Sequence, residues 1–399
     1  MKAGWITTEL GKICAFENGD RGTNYPSRSV RTSEGIPFIN AGHLTDNGLD
    51  YSTMDYIPRE RFDLLGGGKV RSGDILFCLR GSLGKFASVG ELNEGAIASS
   101  LVILRPSQHL LPSFLLLYLD SALCSSMIEQ YGNGAAQPNL SSGSLKQFRI
   151  PLPPLPDQQR IVTLLDEAFD GIATAKANAE KNLQNARAIF VSHLQSVFTQ
   201  RGPGWQEKTL EQISSTFGRG KSRHRPRNEP KLYGGKYPFI QTGDVRNAGH
   251  FITEYSQTYS ELGLAQSKLW PIGTICITIA ANIAETGILG FDACFPDSVI
   301  GVVPNPAEAE VGFVEYLLQS FKVRIQALGQ GSAQANINMG TFENERFPFP
   351  GVAEQRCIVA KLDDLSEVTQ RLESIYKQKL TALEELKKSL LAQAFSGML

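Results

Sequence analysis

The chain repeats itself, and that repeat limits its fold more than any other feature. Gly4-Trp5 returns as Gly204-Trp205, and PFINAGHL at 37–44 returns as PFIQTGDV at 238–245. GDILF, opening at Gly73, returns as GTICI at Gly273. GNGAAQPNL at 132–140 returns as GQGSAQANI at 329–337, and PLPPLPDQQRIVTLLD at 151–166 as PFPGVAEQRCIVAKLD at 348–363. The offset drifts only from 201 residues at Pro37 to 197 at Pro151. Matches that keep both order and spacing mark one unit, duplicated with small insertions and deletions.

Length agrees with this. At about 150 residues per domain, 399 residues make two or three domains. Hydrophobic residues at 42% and charged residues at 20% are those of a globular chain, not a disordered one. Lys and Arg total 39 against 40 Asp and Glu, a net charge of -1, which excludes polycationic binding but not a local basic patch. The start, MKAGWITTEL, lacks the apolar run of a signal peptide, and LLLYL near Leu115 is far too short to span a membrane. Six cysteines without a C-x-x-C pair argue against a zinc site and a disulfide scaffold, so the cytoplasm is the expected location, with no membrane partner.

Each unit opens with about 150 residues of mixed α/β character. Strands are expected at Ile36–Ile39, Asp74–Cys78 and Ser100–Leu104, with a leucine-rich helix near Phe114–Leu123. A proline-rich hinge follows at 151–156, because proline continues neither helix nor strand. Then comes a long helix with an apolar seam. In the first copy the seam is Leu165, Phe169, Ile172, Lys176, Ala179, Leu183, Ala186, Phe190 and Val197. In the second it is expected at Leu365, Val368, Leu372, Ile375, Lys379, Ala382, Leu386 and Leu390. Steps of three and four sustained this long predict a coiled coil between the two helices. The alternative is two helices each docked on its own domain. The expected fold is α+β: two α/β domains, 1–150 and 204–347, joined by helical segments 151–203 and 348–399 with internal pseudo-twofold symmetry.

No catalytic constellation stands out. GRGKS at 218–222 resembles the tail of a phosphate-binding loop, but Ser215 occupies the position of its first glycine. There is no G-x-S-x-G, no H-E-x-x-H and no dinucleotide fingerprint. His43, His109, His193, His224 and His250 form no ligand pattern, and His193 falls on the seam as a packing residue. Asp166 and Asp363 recur in both copies and read as openers of a helix, where negative charge favours the dipole.

Positive charge concentrates in the second unit. Residues 218–236 hold Arg219, Lys221, Arg223, Arg225, Arg227, Lys231 and Lys236 against the single acid Glu229. Such a loop repels itself unless something anionic faces it, and phosphates or guanine edges are natural partners for arginine. At the matching place in the first unit, Arg21, Arg28 and Arg31 are interleaved with Asn24 and Tyr25. Asn40 faces Gln241 in the repeat, two amides suited to adenine edges. Arg80 and Lys85 face Ala280 and Glu285, and Arg246 follows the second motif. These are the candidate DNA contacts: a shared scaffold whose polar loops have diverged, as two different half-site readers require.

The order of variable unit, GNGAAQPNL-type turn, PLPPLPDQQRIV hinge and long helix, repeated once and ended by AQAFSGML, resembles the specificity subunit of type I restriction-modification systems. The resemblance implies two target recognition domains, each reading half of a bipartite site in double-stranded DNA. It implies two long helices paired antiparallel as a ruler, which dock two modification subunits. S-adenosylmethionine, ATP and Mg would then be held by the modification and restriction subunits, with no cofactor on this chain. The second hinge departs from the pattern, with Gly351 and Ala353 replacing two prolines. Other readings of the residues are a coiled-coil DNA-binding or interaction protein outside restriction-modification, and a nuclease or methyltransferase whose site is unrecognised.

Overall fold

The computed structural model describes residues 4–46, 48–132, 139–224, 226–280, 282–329 and 337–399. Arg225 and most of the two repeated Gly-Asn-type turns lie outside the described residues. The chain forms two compact units, Met1–Glu180 with Gln378–Leu399, and Lys181–Lys377. It passes from one to the other inside two long helices, Leu155–Thr199 and Val352–Ser396, of 45 residues each.

The first unit is built on two four-stranded sheets. One runs Asp55–Ile57, Ile36–Ile39, Gly95–Ile97, Lys69–Val70; the other runs Cys14–Asn18, Leu101–Pro106, Ile75–Cys78, Phe86–Ser88. Ile75–Cys78 is buried at every residue, as a central strand of unbroken apolar sequence should be. All three expected strands form. The second unit repeats the plan: Gln257–Tyr259, Tyr233–Phe239, Ala293–Cys294, Leu269–Trp270 in one sheet, and Ser214–Arg219, Val299–Pro304, Ile275–Thr278, Thr286–Leu289 in the other. A fifth strand, Phe251–Ile252, joins the latter in parallel to Thr286–Leu289.

The expected single leucine-rich helix is two, Pro112–Leu119 and Ala122–Tyr131. Ser121 separates them: its hydroxyl donates to the Tyr118 carbonyl at 2.6 Å and caps the second helix at Cys124 N. In the second unit the equivalent stretch is one helix, Val311–Gly329.

The hinge is narrower than 151–156. Residues 151 and 152 complete a strand, Arg149–Leu152, which pairs antiparallel with Ile6–Glu9 in the register Ile6↔Leu152. The helix already starts at Leu155, with Pro156 in its first turn, where a missing N–H costs nothing. A buried glutamine fixes the junction. Gln158, fully buried, accepts from Leu111 N at 2.9 Å and donates to the carbonyls of His109 and Pro153, each at 2.9 Å. Gln355, equally buried, accepts from Glu310 N at 2.8 Å and donates to the carbonyls of Glu308 and Pro350 at 3.2 and 2.8 Å.

Asp166 and Asp363 do not open helices. The helices begin at Leu155 and Val352, and dipole effects fade within the first turn. Asp363 accepts the Tyr316 hydroxyl at 2.7 Å instead. Burial, reinforced by Asp170, raises the Asp166 carboxyl above its ordinary range.

Both long helices enter both cores. Ile161, Val162 and Leu165 meet Leu391, Ala394 and Phe395 in the core of the first unit, and Phe395 lies 5.1 Å from Phe114 and 5.9 Å from Tyr118. Leu194, Phe198 and Leu362 enter the core of the second, with Phe198 stacked edgewise 5.3 Å from Phe313. Within each unit the helix segments also pair antiparallel. Arg160 reaches the Leu399 carbonyl and Lys176 bonds Glu384 at 3.2 Å in the first unit; Arg187 bonds Glu373 at 3.0 Å in the second.

The first seam forms as read, with Leu165, Ala179 and Ala186 buried, except at one end. His193 is exposed, and Leu194 takes the inward position. The second seam forms as read at Leu365, Leu372 and Leu390, which are half-buried, and is shifted by one residue at the other five positions. Leu362, Thr369 and Leu391 are buried, and Leu365, Leu372, Tyr376, Leu380, Leu383 and Lys387 half-buried. Val368, Ile375, Lys379, Ala382 and Leu386 face solvent. Steps of three and four fit either register. Thr369 occupies the inner one at low cost because its hydroxyl donates to the Leu365 carbonyl at 2.9 Å.

Candidate nucleic-acid interface

In the first unit the expected arginines divide. Strand Cys14–Asn18 ends at Gly19, which passes so close to the neighbouring chain that a Cβ would lie 2.6 Å from the Ala98 carbonyl. Only glycine fits, and Arg21 follows two residues later in the loop. There Arg21 donates to Ser99 O at 3.3 Å. Arg80 follows strand Ile75–Cys78 and donates to the same carbonyl at 2.8 Å. The structure thus brings together two arginines that are 59 positions apart.

Arg31 is turned inward. It bonds Asp55 at 2.7 Å and lies 4.9 Å over the Phe38 ring, so its charge is neutralised within the fold. Arg28 is exposed on a short 3-10 turn, Arg28–Val30. Asn40 caps the turn Ala41–His43, accepting from Gly42 N at 2.7 Å, while Lys85 donates to the Ala41 carbonyl at 3.1 Å. One amide and one cation therefore meet at a single turn. Arg105, not singled out by sequence reasoning, is committed to structure. It bonds Asp74 at 2.8 and 3.0 Å, the Lys69 carbonyl at 2.7 Å, and Glu17. Burial opposes ionisation of Glu17, but the Lys69 N–H and Arg105 outweigh it and hold the carboxyl below its ordinary range.

In the second unit the basic loop finds acids that lie far away in sequence. Arg219 donates through Nε to the Asp297 carbonyl at 2.7 Å, and Arg227 bonds the Asp297 carboxylate at 2.9 and 2.8 Å. Lys236 pairs with Glu261 at 3.1 Å, which also accepts the Tyr237 hydroxyl. The expectation that only an external anion could face the loop is corrected by these two acids. Gln266 orders the next segment, accepting from Arg223 N and His224 N at 2.6 and 3.0 Å. The side chains of Lys221, Arg223 and Lys231 remain exposed, as does Arg246 on the helix Thr242–Asn247. Gln241 opens that helix in the position of Asn40; its N–H donates to Asp244 at 2.7 Å as Asn40 N–H donates to His43 at 3.1 Å. Gln241 also lines a cleft of about 310 Å³ with Arg227, Tyr233, Phe239 and Gln257.

The described residues hold no cluster of His, Cys, Asp or Glu able to ligate a metal, and none of their helices is long and apolar enough to cross a membrane. What they offer is exposed cations beside half-buried amides on two copies of one scaffold. The profile of the type I restriction modification DNA specificity domain matches residues 2–184 and again 203–382. The chain belongs to that family. It is 20% identical over 421 residues to the EcoKI specificity subunit of Escherichia coli strain K12, covering all of this chain and 90% of that one. Solved chains share its fold, two of them over nearly the whole length. One, from a study of complex assembly and conformational transition in a type I restriction-modification system, matches with a TM-score of 0.82 and 19% identity over 99% of this chain and 98% of its own. The other is the HsdS subunit of Thermoanaerobacter tengcongensis, with a TM-score of 0.68 and 19% identity over 100% and 98%. The two matches of the family profile coincide with the two copies read from the internal repeat.

Proposed function

We propose that this chain is the DNA-reading and assembly subunit of a type I restriction-modification complex. Residues 1–150 and 204–347 are its two target recognition domains, each reading one half of a bipartite duplex site. Segments 151–203 and 348–399 carry the hinges and the antiparallel coiled coil that sets the gap between the halves and docks two modification subunits. Restriction subunits join that assembly. S-adenosylmethionine, ATP and Mg are held by the partner subunits, and the chemistry is theirs. The observation that carries this reading is the repeated scaffold with divergent cations: the family profile matches twice, while Arg80 faces Ala280 and Lys85 faces Glu285.

The test is a map of methylated adenines across the genome of cells with and without this chain. A two-part motif that disappears with the chain is expected. Methylation unchanged by its loss overturns the proposal. The purified chain alone, given duplex DNA, Mg and S-adenosylmethionine, should neither methylate nor cut.

A further inference from the structure

In the first unit, Arg21 and Arg80 share Ser99 O as acceptor. A carbonyl dipole has no net charge, so among the described residues neither positive charge meets a carboxylate. The cleft around them, about 430 Å³, adds Asn18, Asn139 and Ser142, and among the described residues no carboxylate lines it. The second unit has the corresponding cleft with a different charge. Arg219 pairs with Ile300 as Asn18 pairs with Val102, and it donates to the Asp297 carbonyl, the counterpart of Ser99. The Asp297 carboxylate lines that cleft and is occupied by Arg227.

We propose that the Arg21–Arg80 cleft is a phosphate site that seats one backbone phosphate of duplex DNA, and that Asp297 closes its counterpart in the second unit. This rests on the DNA-reading function above. Two guanidinium forks match phosphate oxygens, and the neighbouring amide and hydroxyl groups add neutral donors. Phosphate contacts fix register without reading sequence. This cleft therefore gives the first unit a charged register contact that its counterpart, with Arg227 tied to the Asp297 carboxylate, supplies less strongly.

The test exchanges the two residues in the full chain, Ser99→Asp and Asp297→Ser. The probe is a duplex carrying the methylated site, titrated between about 50 and 200 mM salt. Ser99→Asp should reduce the log–log salt slope by about one and weaken specific and non-specific duplexes alike. Asp297→Ser should steepen the slope by about one. Arg21→Gln, an exposed side chain, repeats the first test without adding an acid. A wild-type chain that binds no duplex overturns the DNA-reading function itself. Wild-type binding with an unchanged slope in Ser99→Asp and Arg21→Gln overturns the phosphate site alone. Loss of inorganic phosphate binding in Ser99→Asp without a change of duplex slope would mark a free-anion site and overturn the DNA assignment.

Discussion

Gln158 and Gln355 hold the same three backbone groups in the two units: one N–H and one carbonyl ahead of the helix that follows the sheets, and one carbonyl in the hinge. A buried amide with both ends satisfied is expensive to remove, because its partners cannot find water. Gln158→Ala should cost about 2–4 kcal/mol. Urea melts should show the loss, and the same substitution at Gln355 should match it within about 1 kcal/mol, since the sites are equivalent. A loss under about 0.5 kcal/mol at either would mean the junction is held by its strand pair alone.

The cations of the basic loop should separate into two classes. Lys221→Ala, Arg223→Ala and Lys231→Ala together should flatten the salt slope of DNA binding by up to about three, with melting unchanged. Arg227→Ala should lower the melting temperature, because it leaves Asp297 without its ion pair. Equal effects of both sets on binding and on melting would refute the division.

Acid should weaken the first unit through Glu17. Its folded pKa lies below the ordinary glutamate range, so its contribution is present above that range and is lost as pH falls through the folded pKa. Glu17→Gln should remove that part of the pH dependence, measured as thermal stability between about pH 6 and 3. Arg105→Ala should cost about 2–4 kcal/mol, since it strands the buried Asp74.

The outward row on the second helix should serve assembly and not folding. Val368→Lys with Ile375→Lys should change stability by less than about 0.5 kcal/mol, as exposed positions do. Co-purification with the modification subunits should fall. Retained assembly would place the docking surface elsewhere.

Four residues inserted after Asn182 add about 6 Å and one turn of helix. They nearly preserve the seam as a local stutter. Mapped methylation sites should then show a gap longer by one or two base pairs between unchanged halves. Two inserted residues rotate the seam by about 200° and should abolish assembly. An unaltered gap in the first variant would end the ruler idea.

The repeat was legible because framework residues recur at a nearly constant offset, and the strands because Ile36–Ile39 and Ile75–Cys78 are short apolar runs. The second seam was not. Val368 and Ile375 are more apolar than Thr369 and Tyr376, and periodicity alone cannot choose between adjacent registers. The acids of the basic loop were hidden because Asp297 and Glu261 lie 70 and 25 positions from Arg227 and Lys236. Gln158 and Gln355 sit in the quoted hinge repeats, yet a glutamine among polar neighbours gives no sign that it is buried. Their recurrence at matching positions was the available signal.

The first unit is discontinuous in sequence, while the second is a single stretch, Lys181–Lys377. A ribosome working from the N-terminus therefore releases all of the second unit before it releases Leu391, Ala394 and Phe395, which the first core needs. The half made first is the half that closes last. Until then its sheets expose the apolar floor on which Phe395 will settle, beside Phe114 and Tyr118. A nascent chain stalled near residue 380 would carry one finished reader and one open core, a species prone to aggregation or to capture by a chaperone.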